Sequence, residues 1–502
     1  MMSQSPGTVS LVGAGPGDPG LLTLRAKQRL EEADVVVHDH LVSPAIMTLV
    51  PLQVERIYVG KWAGERIMSQ EAIGQVLVEQ ARRGRRVVRL KGGDVFLFGR
   101  GGEECSCLQE HGIGYEIVPG ITSALSVPAY AGIPVTDRRF SSSLMVITGH
   151  EGEGDQGSRV DWSRAAHGAD TLVVLMGTRR IETIMSQLIA NGRPASQPAA
   201  MISWGTLGQQ ETRVGTVESL PGIVDGMKPP TVIVVGDVVG LRSSIRWFEN
   251  RPLFGKKVLN TRPRERGGNL TRALCGMGAQ VVDYPLLDCK VKGEEHSENL
   301  DASLVSADWL VVTSAYAAMA LKEWNTVVPE GCLVAAVGEA CASALEEAGI
   351  AADLIPLERN AEGLCEALIE RERSLEGKKV VFAKGTSGKD TVEQRLTARG
   401  AHVIAPVVYE VKPLPAQELA DLARRVHEKE FQVGVITSPL SAHVWSESVA
   451  GSRELPVVAM SNAVSDVLKA EGVQVAGVAR IPGDQELIEA LVDWALRKEP
   501  RP

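Results

Sequence analysis

Val12-Gly13-Ala14-Gly15-Pro16-Gly17-Asp18 stands between a short apolar run and a helical stretch, Leu21 to Glu32, and the fold turns on how this loop is read. Glycines at a strand end let the backbone approach a ligand, and the helix that follows offers free N–H groups. Taken literally, Gly15-x-Gly17-x-x-Gly20 matches the dinucleotide fingerprint of an oxidoreductase. Pro16 and Pro19 argue against that reading, because each removes an N–H donor where a pyrophosphate needs one. A tight turn without any ligand explains the loop equally well, so its surroundings must decide.

Outward from this loop, short β-branched runs recur at Val35–Val37, Val87-Val88, Val173-Val174, Val232–Val235, Val311-Val312 and Val380-Val381, separated by stretches of helical period. Such alternation predicts α/β layers with largely parallel sheets. At 502 residues the chain exceeds one core, and domains of roughly 100–200 residues imply three or four of them. The 44% hydrophobic and 23% charged residues are those of a globular protein, and a net charge of −9 excludes a general nucleic-acid or membrane-surface binder. No apolar run reaches the roughly 18 residues of a membrane span, and MMSQSPGTV lacks the pattern of a signal peptide. Seven scattered cysteines point to free thiols and a cytoplasmic location.

Leu241 to Gly255 lacks either period and predicts a linker. Beyond it the sequence repeats. Gly255-Lys256-Lys257-Val258 returns as Gly377-Lys378-Lys379-Val380, and Val312-Thr313-Ser314 as Ile436-Thr437-Ser438. Ala335–Gly349 is echoed by Val458–Gly472. Repeats of this length predict two similar α/β domains, which offer a cleft for a ligand.

The companions of the first glycine loop come in order: Asp39-His40-Leu41-Val42-Ser43, Gly60-Lys61, Val88-Arg89-Leu90-Lys91-Gly92-Gly93-Asp94, and Phe98-Gly99-Arg100-Gly101-Gly102-Glu103-Glu104. Val118-Pro119-Gly120-Ile121-Thr122-Ser123-Ala124, Gly132-Ile133-Pro134 and Thr148-Gly149-His150 follow. Over about residues 8–240 this series closely resembles the tetrapyrrole methylase family, specifically uroporphyrinogen-III C-methyltransferase. The resemblance implies a two-domain α/β enzyme (1–138 and 139–245) that uses S-adenosylmethionine, releases S-adenosylhomocysteine, and forms a homodimer through this half. It places the cofactor contacts on Pro16, Gly92, Gly93, Asp94, Leu97, Thr122, Ser123, Met176 and Gly205. It makes Asp39 the proton acceptor after methyl transfer and Lys61 the proton donor. From the residues alone, Asp39 reads as a loop or capping residue, Lys61 as a solvated lysine or a carboxylate clamp for the substrate, and Met176 as core packing. A substrate with eight carboxylates calls for arginines; Arg66, Arg100 and Arg138 are the candidates, with Arg89 and Arg139 beside them. The series departs from the family at His38, Val95 and Asp137, where tyrosine, proline and histidine are usual.

After a linker at 246–255, Val258-Leu259-Asn260-Thr261-Arg262-Pro263, the paired Thr-Ser motifs, Ala336-Val337-Gly338 and Val407-Val408-Tyr409 resemble uroporphyrinogen-III synthase over about 256–495. This implies similar α/β domains at 256–286 with 411–502 and at 287–410. It also implies cyclisation of hydroxymethylbilane with loss of water. Tyr409 is the proton-donor candidate or a buried packing tyrosine. Thr313, Ser314, Thr437 and Ser438 are substrate contacts or plain helix caps. Arg262, Arg264 and Lys384 are further cations for the same substrate. At Cys341, Ser461 and Val464 the chain departs from the family pattern.

Together the resemblances imply a bifunctional cytoplasmic enzyme of tetrapyrrole biosynthesis, for siroheme or cobalamin. It would make uroporphyrinogen III, then methylate it at C-2 and C-7 to precorrin-2. The alternative keeps the methyltransferase and makes the second half a non-catalytic tetrapyrrole-binding module. No metal is expected: Cys105 and Cys107 point to different sides of a helix, and no fourth ligand accompanies His111. Gly385–Asp390 fails the phosphate-loop spacing.

Overall fold

The computed structural model describes residues 7–51, 53–60, 68–149, 160–386 and 390–498. They build four sheets, and the chain separates into two compact units, Met1–Tyr284 with Ala420–Pro502, and Pro285–Leu419.

The first sheet contains β1 (Val9–Gly13), β2 (Val35–His38), β3 (Glu55–Tyr58), β4 (Val87–Lys91) and β5 (Tyr115–Val118), all parallel in the order β3-β2-β4-β1-β5. β1 and β4 are buried along their whole length, as the central strands of a helix-covered parallel sheet should be. The helix expected from Leu21 starts later, at Leu24–Glu32, because Thr23 caps it by accepting from the Ala26 N–H and Pro19–Leu21 forms a 3-10 turn.

The second sheet holds β6 (Leu144–Thr148), β7 (Thr171–Leu175), β8 (Pro198–Ser203), β9 (Glu211–Thr216) and β10 (Thr231–Val235), ordered β6-β7-β10-β8-β9. Only β6 and β7 run parallel; the other pairs are antiparallel. The expectation of largely parallel sheets fails here for a physical reason. The link between β8 and β9 is too short for a crossover helix, so the two strands can only form a hairpin.

The third sheet opens with β11 (Lys257–Asn260) and β12 (Gln280–Asp283). The chain then enters the other unit and lays down β13 (Leu287–Val291), β14 (Trp309–Val312), β15 (Leu333–Ala336), β16 (Lys379–Gly385), β17 (His402–Ile404) and β18 (Val407–Pro413). It returns to finish the third sheet with β19 (Val433–Ile436), β20 (Val457–Ala459) and β21 (Val475–Val478). The third sheet is parallel, ordered β12-β11-β19-β20-β21. In the fourth, β17, β16, β14 and β15 are neighbours in that order, and a parallel bridge joins Ala335 to Leu354 beyond β15. The two sheets therefore share one strand order, and the sequence repeat is the repeat of that order. Each copy of the repeat starts in one unit and ends in the other.

The segment 246–255 is tied down instead of trailing as a tether. Phe248 is 1% exposed and lies against Tyr130 and Phe254. Glu249 accepts from Arg242, Gln210 and Thr212.

Candidate active site

Parallel α/β sheets put their ligands at the carboxyl ends of the strands, and the first sheet gathers four of its loops there. The loops after β1 and β4 bond to each other: the Gly15 N–H donates to the Gly93 carbonyl at 3.1 Å and the Gly93 N–H to the Gly15 carbonyl at 2.7 Å. Both glycines are left-handed, with φ of 74° and 70°. Any side chain at Gly120, after β5, would sit 2.2 Å from the Gly93 carbonyl. This close packing explains the glycines of all three motifs.

Asp94 is the clip of the assembly. One carboxylate oxygen accepts from the Phe96 and Leu97 N–H groups, both at 2.9 Å, and the other from the Gly120 N–H at 3.2 Å. Thr122 caps the helix Ser123–Tyr130 through the Ala124 N–H. Met176 follows β7 with φ of 59° and is 48% exposed, so it is not core packing. Trp204 and Thr206, on either side of Gly205, are also left-handed. Non-glycine residues held this way cost roughly 1–3 kcal/mol each and cluster where backbone shape serves a ligand.

Beside these loops lies a cavity of about 400 Å³. Pro16, Ser123 and Gly205 line it, with His40, Trp204 and Thr231 among the others. Gly92, Gly93, Asp94, Leu97, Thr122 and Met176 do not line it. They belong to the neighbouring loops; Gly92 packs on Leu41 and Gly93 on Ser123, both of the cavity wall.

Asp39, at the end of β2, accepts from the Leu41 N–H at 3.0 Å and from Arg89 at 3.1 Å. Arg89 also donates to Glu104 at 3.2 Å, and Lys91 to the other Glu104 oxygen at 2.8 Å. The Glu104 side chain is 0% exposed, so two carboxylates and two cations form a buried neutral cluster. Burial, followed by the Arg89 charge, pushes the Lys91 ammonium below its ordinary pKa. The motifs by themselves assign no role to Glu104 or Lys91. The signal was present: Arg89 and Lys91, two apart on a buried strand, share a face and require a buried counter-charge. Burial likewise lowers His38, whose ring meets Tyr58 edge-on at 5.5 Å.

The arginines expected to meet substrate are unequal. Arg100 is left-handed, half-exposed and paired with Glu103 at 2.7 Å. Arg138 is exposed, while Arg139 is bonded to Asp137 at 2.9 Å and holds that carboxyl down at about 2. Lys61 and Arg66 lie outside the described residues, as do 387–389 of the rejected phosphate loop.

In the second half, Ser314 caps the helix Ala315–Glu323 through the Tyr316 N–H, and Ser438 caps Pro439–Ser448 in a capping box with Ser441. Thr313 and Thr437 precede these caps. Tyr409, on β18, packs on the Tyr316 ring at 5.6 Å and covers Gly385. Arg262 is paired with Asp484 at 2.7 Å, and Lys384 with Glu393 at 2.8 Å and Asp390 at 3.2 Å. The side chain of Arg264 lies outside the described residues. Among the described residues no group of three metal-ligating side chains converges, and no helix is long and apolar enough to cross a membrane.

Comparison with known proteins gives this geometry its context. The family model of tetrapyrrole (corrin/porphyrin) methylases matches residues 8–221, and that of uroporphyrinogen-III synthase HemD matches 268–489. The chain is 32% identical over 499 residues to the porphyrin biosynthesis protein HemD of Ruminiclostridium josui, covering 98% of each. It is 48% identical over 251 residues to siroheme synthase 1 of Yersinia enterocolitica, spanning only 52% of that protein's length. A crystal structure of uroporphyrin-III C-methyltransferase from Thermus thermophilus, complexed with S-adenyl homocysteine, is 37% identical. It covers 47% of this chain and 100% of its own, with a TM-score of 0.41. The chain therefore belongs to the family of the Ruminiclostridium josui protein, with a tetrapyrrole methylase region followed by a uroporphyrinogen-III synthase region on one polypeptide.

Proposed function

We propose that this chain carries out two consecutive steps of tetrapyrrole biosynthesis in the cytoplasm. The synthase region, 256–286 with 411–502 and 287–410, cyclises hydroxymethylbilane to uroporphyrinogen III with loss of water. The methylase region, 1–138 and 139–245, methylates that product at C-2 and C-7 and assembles as a homodimer. The observation that carries the reading is the cavity beside the three interlocked glycine loops, where Pro16, Ser123 and Gly205 stand together.

The residues present suit S-adenosylmethionine. A cavity of about 400 Å³ falls within the roughly 300–1,000 Å³ of small-molecule sites, and left-handed loops bring backbone groups to its edge. When bound, the donor supplies an activated methyl group with a built-in leaving group. The protein's task is then alignment: the loops at Pro16, Gly92–Asp94, Leu97, Thr122-Ser123, Met176 and Gly205 hold the donor against a nucleophilic pyrrole carbon. After transfer the ring loses a proton. Asp39, at a strand end, accepts it, with Arg89 and Glu104 fixing the direction of its carboxylate. Lys61 donates, while Arg66, Arg100 and Arg138 engage substrate carboxylates. In the synthase region Tyr409 gives a proton to the departing hydroxyl, and the Thr-Ser turns offer hydroxyl and N–H donors.

Full-length protein incubated with hydroxymethylbilane and S-adenosylmethionine should yield a type III product two methyl groups heavier. Formation of the spontaneous type I isomer alone would remove the synthase activity.

One observation favours a second reading, in which the second half binds tetrapyrrole without catalysis. Arg262 and Lys384 are already neutralised by carboxylates, and Ser314 and Ser438 spend their hydroxyls on helix caps. The isomer formed in the absence of methyl donor decides between the two.

A further inference from the structure

The cavity assigned to the methyl donor is not walled by the methylase region alone. Cys275 and the stretch Ala279–Val282, all from the second half, complete its lining. From Gln280 on, the stretch belongs to β12, an edge strand of the third sheet whose other side bonds β11.

The contact is built, not incidental. Gly208, itself on the cavity wall, meets the Ala279-Gln280 backbone so tightly that a Cβ there would lie 2.3 Å from the Ala279 carbonyl carbon. The Gly255 N–H donates to the Gly208 carbonyl at 3.2 Å, and the Leu253 N–H to the Met277 carbonyl at 3.0 Å. Arg251 donates to the Gly276 carbonyl while its guanidinium lies over Trp247 and Phe248, 4.7 and 5.3 Å from their ring centres. Those rings pack on Tyr130, whose hydroxyl donates to Asp18 at 2.7 Å. The Asp18 N–H in turn donates to Thr206 at 3.3 Å. Asp18 and Thr206 directly neighbour the cavity-lining loops at Pro16 and Gly205. One continuous set of bonds and ring contacts thus runs from the donor loops to Gly276, at the end of the helix that leads into the strand closing the cavity.

We propose that the second half supplies a wall of the methyl-donor pocket, so that donor binding and the docking of β12 on the methylase region are linked. Linkage is reciprocal. Donor binding tightens the dock, and loosening the dock weakens donor binding by the same factor. The synthase region then acts on the methylase as a structural part of its cofactor site, apart from any activity of its own. This inference rests on the donor reading given above.

Hydrogen exchange of the full-length chain with and without S-adenosylhomocysteine tests it. The compound should slow exchange at the amides of 279–283 together with those of 205–209. Cys275→Trp, which fills the pocket from the second-half side, should weaken S-adenosylhomocysteine by about tenfold or more in calorimetric titration. Binding that protects 205–209 while leaving 279–283 unchanged would overturn the inference and leave the donor reading intact. Absence of any binding by the unaltered chain would overturn both. Should Cys275→Trp fail to fold, the exchange pattern of the native chain decides alone.

Discussion

The two halves of the molecule store their backbone strain in different places. Among the described residues, the left-handed non-glycine positions of the first half are Phe98, Arg100, Met176, Trp204 and Thr206. All sit in the loops that follow strands, around the candidate site. Those of the second half are Ser306, Asn325, Arg373 and Lys429, each just past the end of a helix. There a left-handed residue is ordinary helix termination. The halves treat charge differently as well. The first buries Glu104 between Arg89 and Lys91 behind Asp39, whereas the second pairs Arg262 and Lys384 with partly exposed carboxylates. A site made of bent backbone and buried ions is fixed before any ligand arrives. A site made of caps and partly exposed side chains must be completed by its substrate.

The contrast breaks first at Asp39. Asp39→Ala should lower methyl transfer by roughly 10²–10⁴-fold, the usual contribution of a positioned base, with S-adenosylhomocysteine affinity nearly intact. Unchanged turnover would take Asp39 out of the mechanism. Next comes Glu104→Gln, which leaves Lys91 buried without its counter-charge and Arg89 with Asp39 alone. Breaking one partner of a buried pair costs about 3–5 kcal/mol, so urea unfolding should show a large loss together with failing methyl transfer. A stability change below about 0.5 kcal/mol, the level of an ordinary surface substitution, would mean the cluster is not an integral part of the first half. In the second half, Tyr409→Phe should slow cyclisation by only about tenfold, short of the full acid–base contribution, because holding the linear substrate in shape does most of the catalysis. A total loss would show that the second half depends on one group as the first does. Smallest are Ser314→Ala and Ser438→Ala, each removing about 1 kcal/mol of helix capping. If either abolishes cyclisation without that loss of stability, the hydroxyl serves substrate and not the helix.

The same difference governs what the sequence reveals. Gly15 and Gly93 are favoured by their left-handed backbone and Gly120 is dictated by its close approach to the Gly93 carbonyl, so the loops appear as a legible ordered series. A serine that caps a helix, such as Ser314 or Ser438, is interchangeable with several residues and carries no signature of its own. The antiparallel pairing of the second sheet escaped because apolar runs such as Val173-Val174 and Val232–Val235 mark strands but say nothing of their direction, and β8 and β9 carry no such run. The buried cluster was half visible, through Arg89 and Lys91 on one face of β4; its counter-ion is contributed by the helix Gly101–Glu110, a juxtaposition the linear pattern does not contain. Phe248 and Arg251 read as linker because isolated aromatic and cationic anchors have no period. Least visible of all was the proximity of Ala279–Val282 to Pro16, a contact between regions that the motifs assign to separate enzymes.

The divided third sheet also sets a timetable. Thr261 donates to the Val435 carbonyl 174 residues away, and the whole unit Pro285–Leu419 is made in between. At the roughly 5–20 residues per second of translation, β11 and β12 wait on the order of ten to thirty seconds for β19. During that wait β12 has one partner strand, and β11 shows an open edge to the cell. Among the four sheets, the third is the one whose assembly a ribosome-associated chaperone would have to guard.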